Sequence, residues 1–172
     1  MGRARAALGS AVFFLVAPCV VAGVLPWWLT GWRAGDVDGA AWWGVRAVGA
    51  ILVVTAAAVL VSAFVRFVVE GVGTPAPVAP TERLVVGGLY RYVRNPMYLA
   101  VVAAVLGQAL LLGRPVLFGY AALVLATVAA FVRGYEEPTL REQFGPEYDA
   151  YRAAVPGWWP RRRPWTPGPP SS

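Results

Sequence analysis

Residues 8–29 carry no charged side chain, and three further apolar runs follow at 44–69, 97–112 and 116–133. These runs restrict the chain more than any motif it holds. A backbone in hydrocarbon must satisfy its own polar groups, so a run of about 20 apolar residues crosses it as a helix. The expected fold is therefore all-α: a polytopic membrane protein with about four transmembrane helices, a cytoplasmic loop before the third span and a cytoplasmic C-terminal helical segment. The first run contains Pro18 and Pro26 and ends in Trp27 and Trp28 rather than a small-residue cleavage site. It reads as a retained span, with Trp27, Trp28 and Trp32 in the interfacial belt, and not as a signal peptide. The third and fourth runs only just cross a bilayer of ~30 Å at ~1.5 Å per residue. Joined by Gly113, Arg114 and Pro115, they are expected to form a close hairpin aided by the small residues Ala103, Ala104 and Gly107.

The charged residues orient this arrangement. All basic side chains are arginine, and the net charge is +6. Arg3, Arg5, Arg83, Arg91, Arg94, Arg133, Arg161, Arg162 and Arg163 fall on one side of four spans, while Arg33, Arg114 and Arg46 fall on the other. The positive-inside rule then puts both termini and the central loop in the cytoplasm. Because the arginines flank apolar runs, the basic balance points to membrane lipids and not to nucleic acid. Histidine is absent and Cys19 is the only cysteine, so no metal site and no internal disulfide is expected. Asp36 and Asp38 read as solvated loop residues, and Arg66 and Glu70, four apart, as a helix-end pair. The glycines and prolines of 71–80 make an irregular connection. The chain is read as one domain over 1–164, with a disordered proline-rich tail at 165–172.

Two polar stretches stand out at the cytoplasmic side. The first, 88–98, runs through Arg91, Arg94, Asn95 and Pro96 into the third span. Proline suits the first turn of a helix and asparagine the cap before it, so Arg94 and Asn95 are expected at a helix mouth. Such a mouth suits an anionic group; a plain membrane anchor for Arg91 and Arg94 is the other reading. The second stretch carries Glu136 and Glu137 where the fourth span ends, a place that prefers cations, so the pair calls for a positive partner. Pro146 and Pro156 bracket a short helix that puts Tyr148, Tyr151 and Val155 on one face.

Together these stretches resemble the isoprenylcysteine carboxyl methyltransferase family and its phospholipid methyltransferase relatives. The resemblance rests on Gly88, Leu89 and Tyr90; on Arg94, Asn95, Pro96, Met97 and Tyr98; and on Glu136, Glu137, Phe144, Gly145, Glu147, Tyr148, Tyr151, Val155 and Pro156. It covers roughly 84–160. It implies an integral membrane enzyme using S-adenosylmethionine as cofactor, and the all-arginine, alanine- and valine-rich usage points to a bacterial cytoplasmic membrane. Carried over, it puts Leu84, Val85, Tyr90, Asn95, Pro96, Met97, Tyr98 and Glu136 at the cofactor, and makes Glu137 a second candidate for the acidic role. Arg94 and Glu137 become the candidate catalytic residues, and Arg91 and Arg133 the candidates to hold an acceptor. The acceptor implied is lipophilic, an isoprenylcysteine-like carboxylate, an isoprenoid or a lipid, entering sideways from the bilayer. Asn95 stands where the family usually has histidine, so a base at that position is lost. Two other classes compete: a sterol-reductase-like membrane enzyme using NADPH, and a non-enzymatic four-helix carrier. A carrier would be expected to hold a charge in mid-membrane, whereas these spans offer only Thr55, Gln108 and Thr127.

Overall fold

The structure, a computed structural model, describes residues 16–37, 39–71 and 84–166, with 67–71 given by their backbone alone. The expectations for Arg3, Arg5, Asp38, Arg83, the Glu70 side chain, the connection at 72–80 and the tail at 167–172 lie outside the described residues. Among those described, every regular element is helical. Helix α1 runs Val16–Thr30, α2 Ala40–Gly71, α3 Pro96–Leu112, α4 Val116–Phe131, α5 Glu137–Phe144 and α6 Pro146–Ala154. A 3-10 turn at Gly88–Arg91 precedes α3. Wide π turns occupy Val20–Val24 within α1 and Val132–Glu136 between α4 and α5.

Two helical stretches, Ala40–Arg66 and Val116–Phe144, are long and apolar enough to cross a membrane. Only 17% and 22% of their most apolar windows are buried in the protein, unlike the core helix of a soluble domain. In the second stretch the charges Arg133, Glu136, Glu137, Arg141 and Glu142 all follow Val132. Its apolar part is thus α4, and the acidic pair lies beyond it. Helices α1 and α3 are apolar but shorter.

Helix α3 is the centre of the packing. Against α4 it buries Val101, Val102, Val105 and Ala109 on Leu117, Ala121 and Val124, the hairpin expected from the short turn. Against α2 the contact is between backbones: a Cβ at Gly49 would lie 2.6 Å from the Leu111 nitrogen, and one at Gly107 would lie 2.9 Å from the Gly49 oxygen. Gly107 therefore serves the α2 crossing and not the α3–α4 hairpin. The orphan Leu112 carbonyl at the end of α3 accepts from the Gly35 amide at 2.7 Å, and Arg114 Nε donates to the Arg33 carbonyl at 2.9 Å. Gly113, at φ 63°, makes that end possible and lies against the Trp42 ring.

Helix α1 continues through Pro26, where the sequence reading has it broken. Pro26 has no amide to offer either the Ala22 carbonyl, its α-helical partner, or the Val21 carbonyl, its partner in a wide turn. Gln108 Nε2 donates to the Ala22 oxygen at 2.6 Å and Tyr120 Oη to the Val21 oxygen at 2.8 Å. Gln108 Oε1 in turn accepts from Trp32 Nε1 at 3.2 Å. Gln108, in the last third of α3, is thus a clamp on a helix that runs through its proline.

At the opposite end, α6 begins at Pro146 and its face of Tyr148, Tyr151 and Val155 is buried, as the sequence implies. The chain then runs back along 91–95 as an extended strap. Trp165 packs on Tyr151, its amide donates to the Arg91 carbonyl, and Arg91 Nη2 donates to Thr166 Oγ1 at 3.0 Å. Trp165 and Thr166 are thus held to the loop before α3. Arg66 lies with its stem against Gly88, joining α2 to the 3-10 turn.

Candidate functional site

Pro96 sits in the first turn of α3, and Asn95 before it takes a non-helical backbone at φ −117° and ψ 53°. Asn95 is buried, yet its side chain makes no cap bond to the helix; its Nδ2 donates to the Gly157 carbonyl at 3.1 Å. The Arg94 amide donates to the Pro156 carbonyl at 3.0 Å. The mouth of α3 is therefore covered by the strap.

Below it, the π turn before Pro138 carries the two acids to different partners. Glu137 Oε1 receives Arg94 Nη1 at 2.7 Å, and its Oε2 receives Arg152 Nη2 at 3.0 Å. Arg94 also donates through Nε to the Val155 carbonyl at 2.9 Å and through Nη1 to Tyr148 Oη at 3.1 Å. One guanidinium thus ties α3, α5, α6 and the strap together. Glu136 is bound differently. Its Oε2 accepts from Tyr98 Oη at 3.0 Å, and among the described residues it forms no ion pair.

Burial pushes the Glu136 carboxyl above the ordinary carboxylate range; the Tyr98 hydrogen bond and Arg94 oppose this, and the charge of Glu137 adds to it. Burial also holds the Tyr90 phenol far above its ordinary value, with the charge of Glu136 contributing. Tyr90 thus stays protonated beside a carboxyl that forms no ion pair among the described residues. Such a group binds a cation well once ionised.

The other residues read from the sequence fall around this centre. Val85, Tyr90 and Met97 are buried against Ala63, and the Tyr90 carbonyl accepts from Tyr151 Oη at 2.7 Å. Leu84 packs on the buried face of α6, and Pro96 is buried. Arg91 is committed to the strap through Trp165 and Thr166. Arg133 is exposed and forms no ion pair with either acid among the described residues. Arg94 and Glu136 do not face each other as an open pair of opposite charges, since Arg94 is taken by Glu137. Sequence reasoning missed Arg152, Gly157 and Trp165. Arg152 carried a signal: it lies four residues after Tyr148 on the same short helix, and the acids called for a cation. A Cβ at Gly157 would lie 3.2 Å from Arg94 Nη2, a constraint visible only in three dimensions.

A family model described as phospholipid methyltransferase matches residues 45–147. The match takes in α2 to α5, the mouth of α3 and both acids, and it ends before the strap. No curated protein matches the chain, and no solved structure does.

Proposed function

The chain belongs to the phospholipid methyltransferase family, and on that footing we propose that it transfers a methyl group from S-adenosylmethionine to a lipophilic acceptor at a membrane face. Membership implies a methyltransferase acting on a lipid-like substrate. The reading of cofactor and site rests on one observation. Of two adjacent carboxylates, Glu137 is taken by two arginines, and among the described residues Glu136 has only the Tyr98 hydroxyl as a hydrogen-bond partner. A carboxylate without a cation suits a cationic cofactor and disfavours a phosphate-rich one.

The donor set fits S-adenosylmethionine: Glu136 for the ammonium or the ribose hydroxyls, with Tyr98, and the backbone of 95–98, beside it. Bound there, the cofactor supplies a methyl group on a sulfonium centre. The protein's own contribution is then mainly orientation. Tyr98 fixes the Glu136 carboxylate by its hydrogen bond. Arg94 acts as a positioning residue, holding Glu137 and hence the turn from which Glu136 projects. A carboxylate acceptor needs no base. An amine or phenol acceptor must lose a proton, and Glu136, with its raised pKa, is the group placed to receive it.

The bilayer placement follows the arginines. Arg91, Arg94, Arg133, Arg141, Arg152 and the strap arginines lie at one end, with Arg33 and Arg114 at the other. The first end is assigned to the cytoplasm and to the bacterial inner face, with α1 to α4 as spans and the acceptor arriving through the lipid. The acceptor class assigned is a lipid or isoprenoid. Calorimetry on the full chain in mild detergent tests the cofactor: S-adenosylmethionine binds and NADPH does not. Tight NADPH binding with no response to S-adenosylmethionine overturns the reading.

A further inference from the structure

The strap from Val155 to Thr166 holds Trp158, Trp159, Arg161, Arg162, Arg163 and Trp165, and no acidic residue. It is fixed to the loop before α3 at spaced points: Pro156 to Arg94, Gly157 to Asn95, Arg161 to Tyr92 and Trp165 to Arg91. Trp165 and Val155 face the core. Between these anchors Trp159 is 81% exposed, and Pro160, Arg162 and Arg163 are exposed as well. Among the described residues, a tryptophan left this open on a pinned segment has no burying partner, although Gly157, Trp158 and Arg161 beside it are buried or half-buried.

Depth identifies what covers it. Gly157 touches Asn95, the residue at which α3 leaves its apolar run, so Trp158 and Trp159 stand at the boundary level of that helix. Arg161 is bonded to Tyr92, three residues before Asn95 in the chain. Aromatic rings beside guanidinium groups are the combination an interface favours, rings among the glycerol groups and cations at the phosphates. Guanidinium groups also match phosphate oxygens in geometry. We propose that Trp159, Arg162 and Arg163 form a docking surface for the headgroups of anionic phospholipids in the surrounding bilayer. The surface rests on the membrane placement given above and is independent of methyl transfer, since it lies outside the stretch matched by the family model.

The test measures binding of short-chain phosphatidylglycerol, short-chain phosphatidylcholine and inorganic phosphate to the detergent-solubilised full chain. The parent protein is expected to prefer phosphatidylglycerol. Replacing both exposed arginines (R162Q with R163Q) is expected to reduce that preference roughly tenfold or more, from about fivefold per arginine near an anionic surface. R162K with R163K, which keeps the charge, retains most of it. W159A weakens both lipids alike. Equal binding of the two lipids by the parent overturns the proposal, as does a preference that survives the paired glutamine variant. Inorganic phosphate competing as well as phosphatidylglycerol overturns it too, because the site is then one for free anions. S-adenosylmethionine binding, measured on the same samples, separates failure of this surface from failure of the methyl-transfer reading.

Discussion

The π turn at Val20–Val24 comes two residues before Pro26, and the π turn at Val132–Glu136 comes two residues before Pro138. Each closes on the carbonyl five residues back, Leu25 to Val20 in one and Glu137 to Val132 in the other. The cause is shared: a proline inside a helix removes a donor, and the helix widens to accommodate it. The surroundings differ. The first turn lies against α3 and α4, with Val21 and Ala22 half-buried, and its freed carbonyls are met by protein, through Gln108 and Tyr120. At the second, Arg133 and Gly134 are exposed and solvent can serve their carbonyls. No neighbouring side chain has to be committed to repair, and the turn is left to aim Glu136 and Glu137 at different partners. One irregularity holds helices together, and the other sets up chemistry.

The contrast depends on a division of labour inside the second turn, and three substitutions probe it. The largest effect is expected from R94Q. It leaves the half-buried Glu137 with only the more exposed Arg152 and removes bonds to Val155 and Tyr148, for a loss of about 2–4 kcal/mol, set below the full cost of breaking a buried pair. Thermal unfolding in detergent without ligand measures it; an unchanged midpoint would mean that Arg94 is not a strut.

E136Q should do the reverse. Affinity for S-adenosylmethionine falls roughly ten- to a hundredfold, the value of a charged hydrogen bond of about 1.5–3 kcal/mol, without loss of ligand-free stability. The pH dependence carries a sign of its own. With the folded-state pKa raised, the contribution of Glu136 to stability is complete below the free value of about 4.3 and is lost as pH rises through the raised value. Above that window E136Q unfolds at a higher temperature than the parent, and near pH 4 the two converge. A variant less stable than the parent at neutral pH would contradict the reading of Glu136 as a carboxylate awaiting a cation.

Q108L gives the smallest change and belongs to the first turn. It strands the Ala22 carbonyl and the Trp32 indole, costing about 1–2 kcal/mol, and leaves cofactor affinity untouched. A fall in affinity in the folded fraction would show that the two turns are coupled.

Local rules carried much of this structure. Uninterrupted apolar runs gave the four long helices, Pro96 and Pro146 opened α3 and α6 where proline is tolerated, and the short turn at 113–115 brought Arg94 near the acids. What stayed hidden depends on contacts between distant residues. Nothing local separates Glu136 from Glu137; the π turn and the positions of Tyr98 and Arg152 do. Asn95 has the sequence context of a helix cap, yet a carbonyl 62 residues away takes its amide. Gly107 looked like a hairpin contact because α4 follows α3 in the chain, whereas the closest backbone is that of α2. Proline at 26 reads as a break until the side chains that repair it are seen.

The strap is held largely by main-chain atoms: the carbonyls of Pro156, Gly157 and Trp165 and the amides of Arg161 and Trp165 make its bonds to 91–95. An attachment of that kind does not read side-chain identity. Exposed positions such as Trp159, Arg162 and Arg163 are therefore open to exchange as a cassette, with the mouth of α3 keeping its shape beneath them. Gly157 is the fixed point, because any side chain there meets the Arg94 guanidinium. The chain thus has a replaceable outer edge mounted on an unvarying rail, and the lipid preference proposed for that edge can be rewritten without touching Glu136.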